Sequence, residues 1–194
     1  MNVGIYIYDQ AEVLDFSGPF EVFSTASRNC TTADPFSVFL VGETGEVVKA
    51  RSGYRVTPSY GFHNHPKIDI LIVAGGVHTK EMNKPKVINW ISKEAKKAQL
   101  VASVCTGAFL LAEARILTTQ NVTTHWEDIP ELRMRYPGLT VHESKRWVDE
   151  GTIVTSGGIS AGIDMSLHLV SRLHSAELAE KTARQMEFNW TKDS

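Results

Sequence analysis

The chain has 194 residues, 42% hydrophobic and 22% charged, a globular composition that excludes disorder and supplies a full core without metal or disulfide staples. Lys and Arg number 20 against 22 Asp and Glu, a net charge of −2, so the basic surface of a dedicated nucleic-acid binder is not expected. Two cysteines, Cys30 and Cys105, cannot make a disulfide framework.

Residues 3–8 (VGIYIY) open the chain as a buried strand, without the basic region and cleavage site of a signal peptide. Residues 19–26 (PFEVFSTA) predict a helix, with Ser17 as N-cap and Pro19 in the first turn. A second strand is expected at 36–41, and a small hairpin at 47–57 turning near Ser52-Gly53. Residues 68–74 (IDILIVA) are apolar on both faces and end in Gly75-Gly76. Val87, Ile88, Ile91 and Ala95 form one stripe of a helix over 84–98. Residues 100–104 (LVASV) read as a strand and 107–114 (GAFLLAEA) as a helix directly after it. A short strand at 121–124, a short helix at 126–135, two or three strands within 141–155 and helices at 160–173 and 176–188 complete the chain.

Short apolar strands alternating with helices predict an α/β fold, a doubly wound, mostly parallel sheet sandwiched by helices, in one domain over 1–194. The apolar runs fall short of the ~18 residues that a membrane helix needs, so a cytoplasmic protein with no membrane partner is expected. In such sheets ligands bind beyond the carboxyl ends of the strands.

One of those ends carries Ser103-Val104-Cys105-Thr106-Gly107. A buried strand runs straight into a helix with Cys105 at the bend, the arrangement of a nucleophile elbow, although Ser103 stands where the strict pattern has glycine. Amides at a helix start favour thiolate over thiol, so Cys105 is expected to ionise readily and act as a nucleophile. The bland alternative for Cys105 is a small buried apolar residue, but its place between strand and helix favours the nucleophile; Cys30, in the polar segment 29–32, reads as a loop or helix-end residue without a role. Gly75 and Gly76 offer backbone amides at a second strand end, or merely a tight turn. The small-residue run 156–162 (SGGISAG) follows the last strand and suits a close backbone approach. Asp15, between Leu14 and Phe16, is either a helix-start acid or a carboxyl aimed at the cysteine.

Taken together, residues 14–23 (LDFSGPFEVF), Ala74-Gly75-Gly76, the elbow, Thr123-Thr124-His125-Trp126 and residues 157–164 (GGISAGID) resemble the ThiJ/PfpI superfamily, in that family's order across roughly 1–188. The resemblance implies the flavodoxin-like, class I glutamine amidotransferase-like fold. It makes Cys105 the nucleophile, Asp15 its acid/base partner and Thr106 the supplier of a hydroxyl and an amide beside them. It places Gly75 and Gly76 near the substrate as oxyanion donors, with Gly157, Ile159 and His125 around the sulfur. Thr106 after the cysteine and Asp15 in place of a glutamate are similar to the isocyanide hydratase branch, which adds water to an isocyanide and releases an N-formamide. The alternatives are glyoxalase or deglycase chemistry on reactive carbonyls, and a non-catalytic ligand-sensing domain related to AraC-type regulators. The chain stops at Ser194, so the helix-turn-helix half of such regulators is not expected. The resemblance also implies a homodimer acting on a small molecule, with no nucleic-acid partner, no organic cofactor and no metal. His63-Asn64-His65 lacks a convincing third ligand.

Overall fold

The computed structural model describes residues 1–31 and 35–192. Its apolar runs become β1 (Asn2–Tyr6), β2 (Ser37–Val41), β3 (Val48–Lys49), β4 (Arg55–Val56), β5 (Ile70–Val73), β6 (Leu100–Val104), β7 (Asn121–Val122), β8 (Thr140–Val141), β9 (Trp147–Asp149) and β10 (Ile153–Ser156). The helices are α1 (Val13–Asn29), α2 (Thr79–Met82), α3 (Pro85–Ala95), α4 (Gly107–Glu113), α5 (Ile129–Arg135), α6 (Ala161–Leu173) and α7 (Ala176–Gln185).

Six strands form the main sheet in the order β2-β1-β5-β6-β10-β9. All neighbouring pairs are parallel except β10 with β9. Every residue of β5 and β6 is buried, as expected of central strands covered on both faces. In register, Val3 faces Ile70, Ile70 faces Leu100, and Val101 faces Ile153. Helices α1, α6 and α7 pack on one another, and α2, α3 and α4 form a second mutually packed group. No helix among the described residues is long and apolar enough to cross a membrane.

The chain moves from β1 outward to β2, then returns to place β5 on the other side of β1. The strand order therefore reverses between β1 and β5, and the crevice beyond their carboxyl ends is where this architecture binds ligands. Cys105 follows the neighbouring strand β6.

Several local expectations change. Helix α1 starts at Val13, well before Pro19, which lies inside it. Ser17 is not the cap: its hydroxyl donates to the Val13 carbonyl at 2.8 Å. That extension puts Asp15 in the first helical turn. The hairpin forms as expected, pairing Val48 with Val56 and turning through Ser52 and Gly53, both at positive φ. The single turn α2 was not foreseen, and the helix expected over 126–135 forms as a 3-10 turn, Trp126–Asp128, leading into α5.

Candidate functional site

Strand β6 ends at Val104, Cys105 adopts φ 56°, and α4 begins at Gly107. The bend is tight because Gly107 lies against the end of β5: a Cβ there would come within 2.1 Å of the Val73 carbonyl oxygen. The Cys105 N–H points at the carbonyls of Ser156 and Gly157, each at 3.2 Å. Thr124 donates its hydroxyl to the Cys105 carbonyl at 2.8 Å. The Cys105 backbone is thus held from two sides, and its side chain is nearly buried, with 6% of the residue exposed.

Asp15 is wholly buried. Its Oδ2 accepts the Gly75 N–H at 3.1 Å. Burial, then the charge of Glu12, pushes its pKa up to about 7, against the pull of the Cys105 thiol and the Gly75 and Ile159 amides. Among the described residues its Oδ1 has no hydrogen-bond partner of regular geometry, and the carboxyl and the Cys105 thiol are close enough to shift each other's pKa.

The expectation of an easily ionised thiolate is overturned. Burial raises the Cys105 pKa well above its ordinary value, and the Asp15 charge raises it further. The Thr106 amide lowers it but does not prevail. Desolvation and a neighbouring carboxylate outweigh the start of a helix only Gly107–Glu113 long. Near neutral pH the sulfur therefore keeps its proton, while Asp15 is divided between its acid and carboxylate forms.

Gly75 sits between the partners. A Cβ at this position would lie 2.7 Å from Asp15 Oδ2, 2.8 Å from Cys105 Cβ and 2.6 Å from the Thr106 nitrogen. The amides of both glycines are already engaged. Gly75 serves Asp15, and Gly76 donates to Thr106 Oγ1 at 2.9 Å while its carbonyl accepts the same hydroxyl at 2.9 Å. Thr106 accordingly locks the Gly76 turn, and neither glycine amide is open to a substrate oxygen.

Cys105, Thr106, Gly76, His125 and Ile159 line a recess of about 180 Å³. His125 packs against the Gly158 backbone and places Nδ1 at 3.3 Å from Asp128 and 3.8 Å from Glu127. Ile159 takes φ 54°, and Gly157 donates its N–H to the Arg146 carbonyl at 2.9 Å. Gly157 lines the neighbouring groove instead of the recess itself.

Sequence reading missed three residues. Arg51 and Glu12, 3.8 Å apart, close the recess from the hairpin turn and the start of α1. No local signal marks Arg51, which is positioned by the bond from its N–H to the Ala11 carbonyl at 3.0 Å. Tyr8 has a fully buried hydroxyl with no hydrogen-bond partner of regular geometry among the described residues, and its pKa is raised by burial and then by the charge of Asp15. Its place just beyond β1, at the carboxyl end of a central strand, was the available clue.

The model of the DJ-1/PfpI family matches residues 1–172. The chain is 29% identical over 189 residues to an isonitrile hydratase of Pseudomonas putida, covering 97% of this chain and 78% of that protein. It is 31% identical over 178 residues to the HTH-type transcriptional regulator GbdR of Pseudomonas aeruginosa, covering 92% of this chain but only 48% of the regulator. A crystal structure of a THiJ/PfpI family protein from Pseudomonas syringae superposes with a TM-score of 0.86 at 21% identity, over 98% of this chain and 76% of that one.

Proposed function

The chain belongs to the DJ-1/PfpI family, and from that premise we propose that it hydrates isocyanides to N-formamides, with Cys105 as nucleophile and Asp15 as proton carrier. The observation that carries this reading is the burial of an Asp15 carboxyl with a pKa of about 7 beside a neutral Cys105 thiol. A group with that pKa accepts and returns a proton with little free-energy change at neutral pH.

Asp15 takes the thiol proton as sulfur attacks the terminal isocyanide carbon. The S–C bond forms and an electron pair is left on that same carbon. Asp15, standing beside the sulfur, returns the proton there and yields a thioimidate. Water then adds to the thioimidate carbon, one of its protons reaches nitrogen through Asp15, and the C–S bond breaks. As it breaks, the remaining water proton passes from oxygen to sulfur, and the products are the N-formamide and the restored thiol. Dividing the addition into two steps is what covalent catalysis supplies.

This chemistry suits the engaged glycine amides. Attack on a carbonyl develops charge on oxygen and calls for free N–H donors. Attack on an isocyanide develops it on carbon, where an acid is required. The engaged Gly75 and Gly76 amides therefore favour isocyanides over reactive carbonyls. The 29% identity to an isonitrile hydratase across nearly the whole chain supports the same choice.

The test offers the protein cyclohexyl isocyanide and, separately, methylglyoxal, with product identified by mass spectrometry. Formamide production lost in Cys105→Ala is the expected result. Consumption of methylglyoxal alone rejects the proposal. A ligand-sensing reading is favoured by one observation, the neutral buried thiol, and has the 31% identity to a regulator behind it. It predicts isocyanide binding without turnover, unaffected by Cys105→Ala.

A further inference from the structure

Two recesses meet at His125 and Ile159, which line both. The one over Cys105 measures about 180 Å³, below the roughly 300 Å³ at which sites for drug-sized molecules begin. The other is an open groove of about 700 Å³ beside the 3-10 turn, the start of α5 and the 143–146 segment. An isocyanide is linear through C–N–R, so its substituent projects away from the carbon that sulfur attacks. A substituent too large for the small recess has to continue into the groove.

The groove's character follows from its side chains. Arg146 is paired with the buried Asp164 and reaches Ser160 Oγ at 3.3 Å, while Glu143 is held by Arg133. Lys145 also lines the groove, in the 143–146 segment, and the apolar part of the lining is Trp126, Pro130 and Ile159 over the buried Ile129. Trp126 is 74% exposed and Ile159 39%, although both are large and apolar. The indole has His125 as its aromatic neighbour, with 5.8 Å between ring centroids, and is otherwise available for stacking.

We propose that this groove is the subsite for the substrate's N-substituent, and that it selects isocyanides bearing an uncharged aryl group which stacks on Trp126. The isocyanide head rests on the function proposed above; the preference of the groove for an uncharged aryl group does not.

The experiment compares 2-naphthyl isocyanide with ethyl isocyanide in the wild-type protein, Trp126→Ala and Trp126→Phe. The ratio of their kcat/KM values is expected to fall about tenfold in Trp126→Ala and to be largely retained in Trp126→Phe. An unchanged ratio in Trp126→Ala overturns the groove assignment while leaving the hydratase reading intact. Calorimetric titration with N-(2-naphthyl)formamide separates the two in the other direction. If neither isocyanide reacts, the hydratase reading fails, and binding that weakens about tenfold in Trp126→Ala still upholds the groove. Absent binding, or equal binding by the wild-type protein and the alanine variant, overturns it.

Discussion

Asp15 on the first turn of α1 and Cys105 at the bend after β6 act on each other in opposite senses: the thiol lowers the carboxyl's pKa, and the carboxylate raises the thiol's. Both effects favour carboxylate plus thiol over acid plus thiolate. The nucleophile therefore rests in its neutral form, held there first by burial and then by the acid that serves it.

Asp15→Asn is accordingly expected to separate reactivity from turnover. With the neighbouring charge removed, the Cys105 pKa falls and the thiol is alkylated faster by iodoacetamide at pH 8, by several-fold or more. Hydration of isocyanides falls at least a hundredfold, because no group remains to move the proton. Mass-spectrometric rates of Cys105 alkylation, read against Cys30, check the first part. Slower alkylation in the variant contradicts the assigned coupling.

The same carboxyl makes stability depend on pH. Its folded pKa of about 7 lies above the unfolded value near 3.9. Between those values the unfolded chain has released a proton that the folded chain still binds, so stability falls as pH rises and levels off above about 7. The shift corresponds to roughly 4 kcal/mol. Asp15→Asn removes this slope, so its stability relative to wild type should improve from pH 4 to pH 8. Urea unfolding of both proteins at several pH values measures the difference, and parallel pH profiles would contradict it.

Gly75→Ala is expected to lower activity about a hundredfold with the fold retained. Its Cβ would press on Asp15 Oδ2, Cys105 Cβ and the Thr106 nitrogen, all closer than 3.0 Å. Relief requires moving the very groups that must stay aligned, and small displacements of this kind reduce rates about a hundredfold. Circular dichroism and isocyanide turnover, measured together, decide the point.

Arg146→Met leaves the wholly buried Asp164 without its cation. Breaking a buried pair by removing one partner destabilises by about 3–5 kcal/mol, and the exposure of Arg146 places this case near the lower end. The double variant Arg146→Met/Asp164→Asn should recover part of the loss. Chemical denaturation of the two variants gives the comparison, and equal stability would show that the pair contributes little.

The central strands were legible because each is an unbroken apolar run, and the elbow because residues 100–104 abut a helix that starts with glycine. The beginning of α1 was not: Ser17 and Pro19 carry the local marks of a first turn, but Ser17 bonds back to Val13 within a helix already under way. The charge state of Cys105 was out of reach because desolvation depends on what the folded chain packs around the sulfur. The engagement of the Gly75 and Gly76 amides was equally hidden, since their partners Asp15 and Thr106 come from distant parts of the chain.

The φ of 56° at Cys105 sets a trade-off between durability and chemistry. Glycine adopts that conformation without steric penalty, whereas a residue bearing a Cβ costs about 1–2 kcal/mol there. A library of variants screened for heat tolerance alone should enrich glycine at this position and return robust, inactive proteins. Keeping sulfur at the bend is thus a burden that only selection for turnover would maintain.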